Sequence, residues 1–483
     1  MINAALFLLA TSTMETNVNP PAPFGTVPSA RHLKWHELET YGFVHFTINT
    51  FTDREWGNGD EDPKLFNPTA FDADQIVRAF KAGGLKGLIL TAKHHDGFCL
   101  WPTKTTDHDI SQSPWKGGKG DMVREFADAC KRGGIKFGVY LSPWDRNNAR
   151  YGKPEYPDLY RAQLRELMTQ YGPLFEIWHD GANGGDGYYG GAREKRSIDP
   201  QTYYEWPKTW AMIRELQPNA VVFSDVGPDI RWVGNESGYA AETSWATYTP
   251  AGPEPGKLPA PGYTDSAKGE VGTWGGKYWI PAECDVSIRP GWFWHEAENG
   301  RVKTPQQLTD LYFRSVGHGG SFLLNIPPDR RGLVHENDQK SLTAFGAHVR
   351  ATFAQNFAKG AKVSATNVRG SAGKFGAGQV LDGSWQTYWA TDDSVKTASL
   401  TLDLGEAKSF NVVRIREALP FGHRVIGWSV EADGKEIAKG QSIGACRLVR
   451  LGQNVTAKSV TVRFDGAASL AITEVGLFAE PSF

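Results

Sequence analysis

Apolar positions follow two rhythms along this chain. From Trp35 to Phe357, short apolar runs alternate with stretches of helical spacing. The runs Gly42–Thr47, Leu85–Thr91, Ile135–Leu141, Leu174–Trp178, Ala220–Asp225, Tyr278–Glu283 and Gly320–Ile326 read as buried strands. Between them, helical spacing marks Asp72–Lys81, Asp121–Lys131, Pro157–Gln170, Tyr203–Leu216, Pro305–Val316 and Asn337–Phe357, with a short helical turn at Trp35–Thr40. Asp72 is a ready N-cap, and Gly83 and Gly133-Gly134 are stops. Strands alternating with helices predict a parallel sheet with right-handed crossovers. Seven such units favour an α/β fold of the closed, TIM-like (β/α)8 type over residues 31–358. The stretch from Asp225 to Tyr278 is poor in helix, so irregularity is expected there.

The second rhythm begins at Lys359. Helical spacing gives way to short alternating segments, Ala398–Leu404, Val412–Arg416, Trp428–Ala432 and Ser459–Phe464, joined by glycine-rich turns. That pattern predicts a separate C-terminal β-sandwich of jelly-roll type over residues 359–483. At the other end, Met1–Ala10 is apolar and followed by small residues. Residues 1–30 therefore read as a signal-like segment and a Thr/Asn/Pro-rich linker, and the protein as exported to the periplasm or outside the cell.

Charge narrows the function. The 52 Lys and Arg against 54 Asp and Glu give a formal net charge of -2, which offers nothing to a nucleic acid. No apolar run is long enough for membrane insertion. Cys99, Cys130, Cys284 and Cys446 lie too scattered for a zinc knuckle or a disulfide framework. Aromatic residues are plentiful, and their faces are natural surfaces for sugar rings.

Polar residues gather at the expected strand ends: His45, His94 and His95, Trp144 and Asp145, Trp178 and Asp180, Asp225, Glu283. Glu55 and Trp56 follow the first strand. A lone Asp before Gly usually caps a turn, and a lone buried His usually serves the core. Convergence at one end of successive strands argues for a site, because that end is where barrel loops meet. Neighbours on a strand point to opposite faces, so His94 and His95 are not expected to face inward together. No metal-binding spacing is present, and catalysis without a cofactor is expected. Neutral histidines, an indole face and a few carboxylates suit a monosaccharide. Glycoside hydrolysis needs two carboxyl groups about the anomeric carbon. Asp180 is the first candidate, with Glu236 and Glu283 for the second.

Together His45-Phe-Thr, Glu55-Trp56, Lys93-His-His-Asp-Gly-Phe98, Trp178-His-Asp-Gly181, Arg231-Trp-Val-Gly-Asn-Glu236 and Ser287-Ile-Arg-Pro-Gly-Trp292 resemble the α-L-fucosidases of glycoside hydrolase family 29, in consistent order from Trp35 to Ala358. The resemblance implies a somewhat irregular (β/α)8 barrel and a retaining mechanism, with Asp180 as nucleophile. It implies fucose contacts from His45, Glu55, Trp56, His94, His95, Trp178 and Arg231; Tyr140 and Trp292 are further candidates. The Gly-Asn-Glu236 motif is similar to that of the subgroup cleaving α-1,3 and α-1,4 fucose from branched Lewis-type glycans. That favours Glu236 as acid/base, with Glu283 second. The expected partner is a fucosylated oligosaccharide or glycoconjugate. An inactive fucose-binding protein and a broader enzyme that also takes α-1,2 linkages are the alternatives. The long loop Gly184–Arg193 departs from the pattern and could border the aglycone. In the C-terminal segment, Val380–Trp389 resembles a turn of discoidin-like, galactose-binding folds. That resemblance implies a possible structural calcium, with Trp389 in the core.

Overall fold

The computed structural model describes residues 18–483, so the signal-like Met1–Ala10 lies outside the described residues. Eight parallel strands close a barrel: β1 (Thr40–Val44), β2 (Gly87–Lys93), β3 (Lys136–Leu141), β4 (Glu176–Trp178), β5 (Val221–Ser224), β6 (Ile230–Trp232), β7 (Ala282–Ser287) and β8 (Ser321–Asn325), with β8 returning to pair with β1. Helices α1 (Ala73–Ala82), α2 (Met122–Gly133), α3 (Tyr156–Gln170) and α4 (Trp206–Leu216) follow β1 to β4, and α5 (Pro305–Ser315) and α6 (Glu336–Thr352) follow β7 and β8. The boundary chemistry is as the sequence suggests. Asp72 caps α1 by accepting from Gln75 N at 2.9 Å, and Gly134 ends α2 in the left-handed region. Among the described residues no α-helix follows β5 or β6, which is the irregularity expected between Asp225 and Tyr278.

Three details of the sequence reading are corrected. Strand β6 is only Ile-Arg-Trp, too short to show a rhythm, and is absent from the strands that the sequence predicts. Tyr278–Trp279 pairs antiparallel with Thr247–Tyr248 outside the barrel, while β7 starts at Ala282. Glu283 therefore stands near the beginning of its strand and not at its mouth. Finally, β2 stops at Lys93, so strand alternation does not bind His94 and His95, and both turn into the same pocket.

The barrel interior is packed by Tyr41, Phe43, Ile89, Tyr140, Trp178, Phe223 and Leu323. Trp178 stacks on Phe223 with centroids 4.0 Å apart, giving the pocket a rigid aromatic floor. A second core lies between strands and helices. To it the C-terminal domain contributes Val412, Cys446, Leu448 and Phe478.

That domain is an antiparallel sheet built from β9 (Lys362–Ala365), β10 (Trp389–Ala390), β11 (Thr397–Glu417), β12 (Val425–Ala432), β13 (Lys435–Gly440), β14 (Arg447–Gly466) and β15 (Ala471–Phe478). The long strands β11 and β14 pair along their length through two register shifts. They enclose a core including Leu400, Leu402, Val430, Val462 and Phe464, consistent with a sandwich. Trp389 is fully buried there and donates to Asn367 O at 2.8 Å. A calcium ion takes six to eight oxygen ligands. At the Val380–Trp389 turn the Asp382 carboxylate instead accepts from Ser384 N and Thr387 Oγ1. Among the described residues no group of three His, Cys, Asp or Glu gathers to hold a metal.

Candidate active site

At the C-terminal mouth of the barrel lies a pocket of about 210 Å³, below the ~300–1,000 Å³ of drug-sized sites and on the scale of one sugar ring. Phe43, His45, Trp56, His94, His95, Tyr140, Trp178, Asp180, Ala182, Glu236, Asp285 and Trp292 line it.

Asp180 stands two residues beyond β4, where the strand gives way to loop. Its Oδ2 accepts from Tyr140 Oη at 2.8 Å and its Oδ1 from Ala182 N at 2.7 Å, which fixes the carboxylate on both sides. His95 Nε2 lies 4.0 Å from Oδ2.

The three histidines are neutral, and their tautomers follow from the network. Asn325 donates through Nδ2 to Ser287 Oγ and Trp292 O, so its Oδ1 accepts from His45 Nδ1 at 2.9 Å and leaves His45 Nε2 an acceptor. Ser142 gives its proton to Trp144 O and accepts from His95 Nδ1, leaving His95 Nε2 likewise an acceptor. Asn49 Nδ2 approaches His94 Nδ1 at 3.4 Å, so His94 Nε2 carries the proton as a donor. Burial lowers all three, His45 to about 4 and His94 well below the ordinary range. For His45 and His95 the Asp180 charge works against burial but does not overcome it.

Glu236 comes from the loop after β6. Gly234 and Gly238, both with positive φ, bracket it, and a Cβ at Gly238 would meet Val286 Cγ1 at 2.6 Å. Asn235 fastens the loop from within, donating to Glu270 Oε1 at 2.8 Å and accepting from Ser237 N at 2.9 Å. Further along, Ser244 N donates to Ser442 Oγ and Ala246 N to His423 Nε2, both at 3.0 Å, so the segment leans on the C-terminal domain. Glu236 Oε2 accepts from Trp292 Nε1 at 3.2 Å. Partial enclosure raises its carboxyl above the ordinary range; the Trp292 bond opposes this, and the Asp180 and Glu55 charges add to it.

The other expected contacts divide. Trp56, 53% exposed, stands edge-on to His95 and Trp144 at the rim. Glu55 does not line the pocket. Its carboxylate accepts from Trp292 N, Phe293 N and His295 Nε2 at 2.8, 3.2 and 2.7 Å, and so holds the Trp292 loop. Arg231 is corrected: fully buried, it donates to the backbone oxygens of Gly269, Trp245 and Ile280 and does not line this pocket. Glu283, the second candidate, is corrected as well. It is sealed beneath the floor, accepting from Tyr41 Oη and from Trp178 Nε1 at 2.7 Å beside buried Glu176. Asp145 pairs with Lys93 Nζ at 3.2 Å, and Asp225 accepts from Gly262 N; neither lines the pocket.

Comparison with known proteins settles the family. Residues 25–352 match the profile described as Alpha-L-fucosidase. The chain belongs to the α-L-fucosidase family. "Alpha-L-fucosidase 1" of Arabidopsis thaliana is 41% identical over 468 residues, covering 95% of this chain and 88% of that one. A glycoside hydrolase 29 family member from an unknown rumen bacterium superposes with a TM-score of 0.82 at 38% identity, over 95% of this chain and 78% of that one. A Ruminococcus gnavus GH29 fucosidase in complex with fucose gives 0.84 at 31% identity, over 96% and 98%. The fucosidase is thus a glycoside hydrolase on a closed barrel.

Sequence reading missed Asp285 and the three residues that set the histidine tautomers, Asn49, Ser142 and Asn325. The signal for Asp285 was present: with β7 placed at Ala282–Ser287, alternate residues Glu283, Asp285 and Ser287 fall on the inner face.

Proposed function

We propose that this α-L-fucosidase is a retaining exo-enzyme that releases terminal α-1,3- or α-1,4-linked L-fucose from branched, Lewis-type glycans. The observation that carries the reading is that Asp180 and Glu236, from separate elements, line one monosaccharide-sized pocket, while Glu283 lies beneath its floor. Asp180 attacks the anomeric carbon as Glu236 passes its proton to the glycosidic oxygen, and the aglycone alcohol leaves. Glu236, now a carboxylate, takes a proton from water; the hydroxyl oxygen attacks the same carbon, releasing fucose and restoring Asp180. Protonation of Glu236 in the free enzyme is supported by its upward shift. Fucose as the pocket's occupant is supported by the fucose complex of the Ruminococcus gnavus fucosidase. Linkage preference rests on the Gly234-Asn-Glu236 motif, and the loop Gly184–Arg193, folded as a small hairpin, is read as an aglycone border. We read residues 359–483 as a discoidin-like support, since Trp389 is core.

The test compares a branched α-1,3/1,4-fucosylated trisaccharide with an α-1,2-linked one, using wild type, Asp180→Ala, Glu236→Ala and Glu283→Ala with and without azide. The expected result is cleavage of the branched substrate, an inactive Asp180→Ala, and azide rescue of Glu236→Ala through α-fucosyl azide, the product of two inversions. Rescue of Glu283→Ala instead would overturn the acid/base assignment, and equal cleavage of both substrates would overturn the linkage preference.

A further inference from the structure

Asp285 has been given no role, yet it lines the pocket while only 3% exposed. It stands on the inner face of β7, opposite Leu323 of β8 and two residues beyond Glu283. Three carboxyl groups, Asp180, Glu236 and Asp285, share this small space, and no Lys or Arg lines it. Asp285 Oδ1 is sealed among protein atoms with no hydrogen-bond donor in reach. A negative charge on this carboxyl would meet little beyond the Trp232 indole, and two acidic neighbours, Glu236 and Glu283, would oppose it.

The pocket is also short of donors. A sugar hydroxyl gives one proton and accepts others, but His45 Nε2, His95 Nε2 and Asp180 all present acceptors. His94 Nε2 is the histidine donor.

We propose that Asp285 contacts the bound sugar as a neutral carboxylic acid, donating its O–H to one ring hydroxyl and supplying a donor to a site built mainly of acceptors. Burial holds its proton on well above the usual carboxylate range, the Glu236 and Glu283 carboxyls reinforce this, and the Trp232 indole opposes it. The inference rests on the pocket being the fucose site, and goes beyond it by assigning a third carboxyl that never ionises during turnover.

The experiment compares Asp285→Asn and Asp285→Ala on an aryl α-L-fucoside and on analogues each lacking one ring hydroxyl, with thermal melts for every variant. An amide offers an N–H in place of the acid O–H. Asp285→Asn should therefore keep kcat/KM within about threefold of wild type, while Asp285→Ala loses about tenfold or more. The loss should vanish on the single analogue that lacks the contacted hydroxyl. A folded Asp285→Asn as impaired as Asp285→Ala would show that the charge is required and overturn the proposal. So would an unimpaired Asp285→Ala, or a loss equal on every analogue. If Asp285→Ala does not fold, the pH profile of Asp285→Asn decides: superposition on wild type supports a neutral acid, and loss of an ionisation limb refutes it. Failure of the underlying site reading shows separately, as full activity in Asp180→Ala.

Discussion

Tyr140 donates its hydroxyl to Asp180 Oδ2 at 2.8 Å, across the seam between β3 and β4. Tyr140 is buried and its own ionisation is pushed far up, so the proton stays on the phenol and the bond always runs toward the carboxylate. Tyr140→Phe keeps the ring and removes the donor. A hydrogen bond to a charged group contributes about 1.5–3 kcal/mol. The expected outcome is a fall in kcat of about 10- to 100-fold with a smaller change in KM, read by steady-state kinetics on an aryl fucoside.

Trp292 tunes the proton donor. Its indole N–H favours the Glu236 carboxylate, so removing it with Trp292→Phe raises the Glu236 pKa further. The protonated form is the active one in the first step, and the alkaline limb of kcat/KM reports the free enzyme's acid. That limb should move to higher pH in Trp292→Phe. A shift to lower pH, or none, contradicts the assignment of Glu236.

Glu236 and Glu283 separate cleanly by amide substitution. Glu236→Gln removes the proton donor and should lose ~10²–10⁴-fold in kcat on a substrate with a poor leaving group. Glu283→Gln keeps an acceptor for Trp178 Nε1 and relieves a buried pair of carboxyls, Glu176 and Glu283, that both resist ionisation. It should retain most of the activity. Glu283→Ala should instead lower stability by about 3–5 kcal/mol in denaturant titration, because it orphans buried donors and opens a cavity.

Arg231 is expected to affect stability and not binding. Burial pushes its guanidinium down to about 10, and its donors tie the loop backbone around Gly269 and Ile280 to β6. Arg231→Met should cost about 2–4 kcal/mol of stability. KM for an aryl fucoside should stay unchanged.

The barrel was legible because its helices carry their own stops and caps, as Asp72 and Gly134 do. Strand β6 was not, because three residues cannot display a period and its flanks have no helix to frame it. The same region hid β7: Tyr278–Trp279 is as apolar as a barrel strand but pairs elsewhere. That one displacement placed Glu283 at the mouth and passed over Asp285. The roles of Glu55 and Arg231 were hidden for a different reason. Sequence shows that a charged residue neighbours a motif, but not whether it faces ligand or a backbone carbonyl.

The segment bearing Glu236 has its far end fastened to Ser442 and His423, residues of the other domain. The acid that is to meet the glycosidic oxygen is thus held in register from two domains. Substitutions at Ser442 or His423, remote from any sugar, would be felt as altered turnover. A chimera joining this barrel to a relative's sandwich would inherit a mistimed proton unless those two contacts came with it.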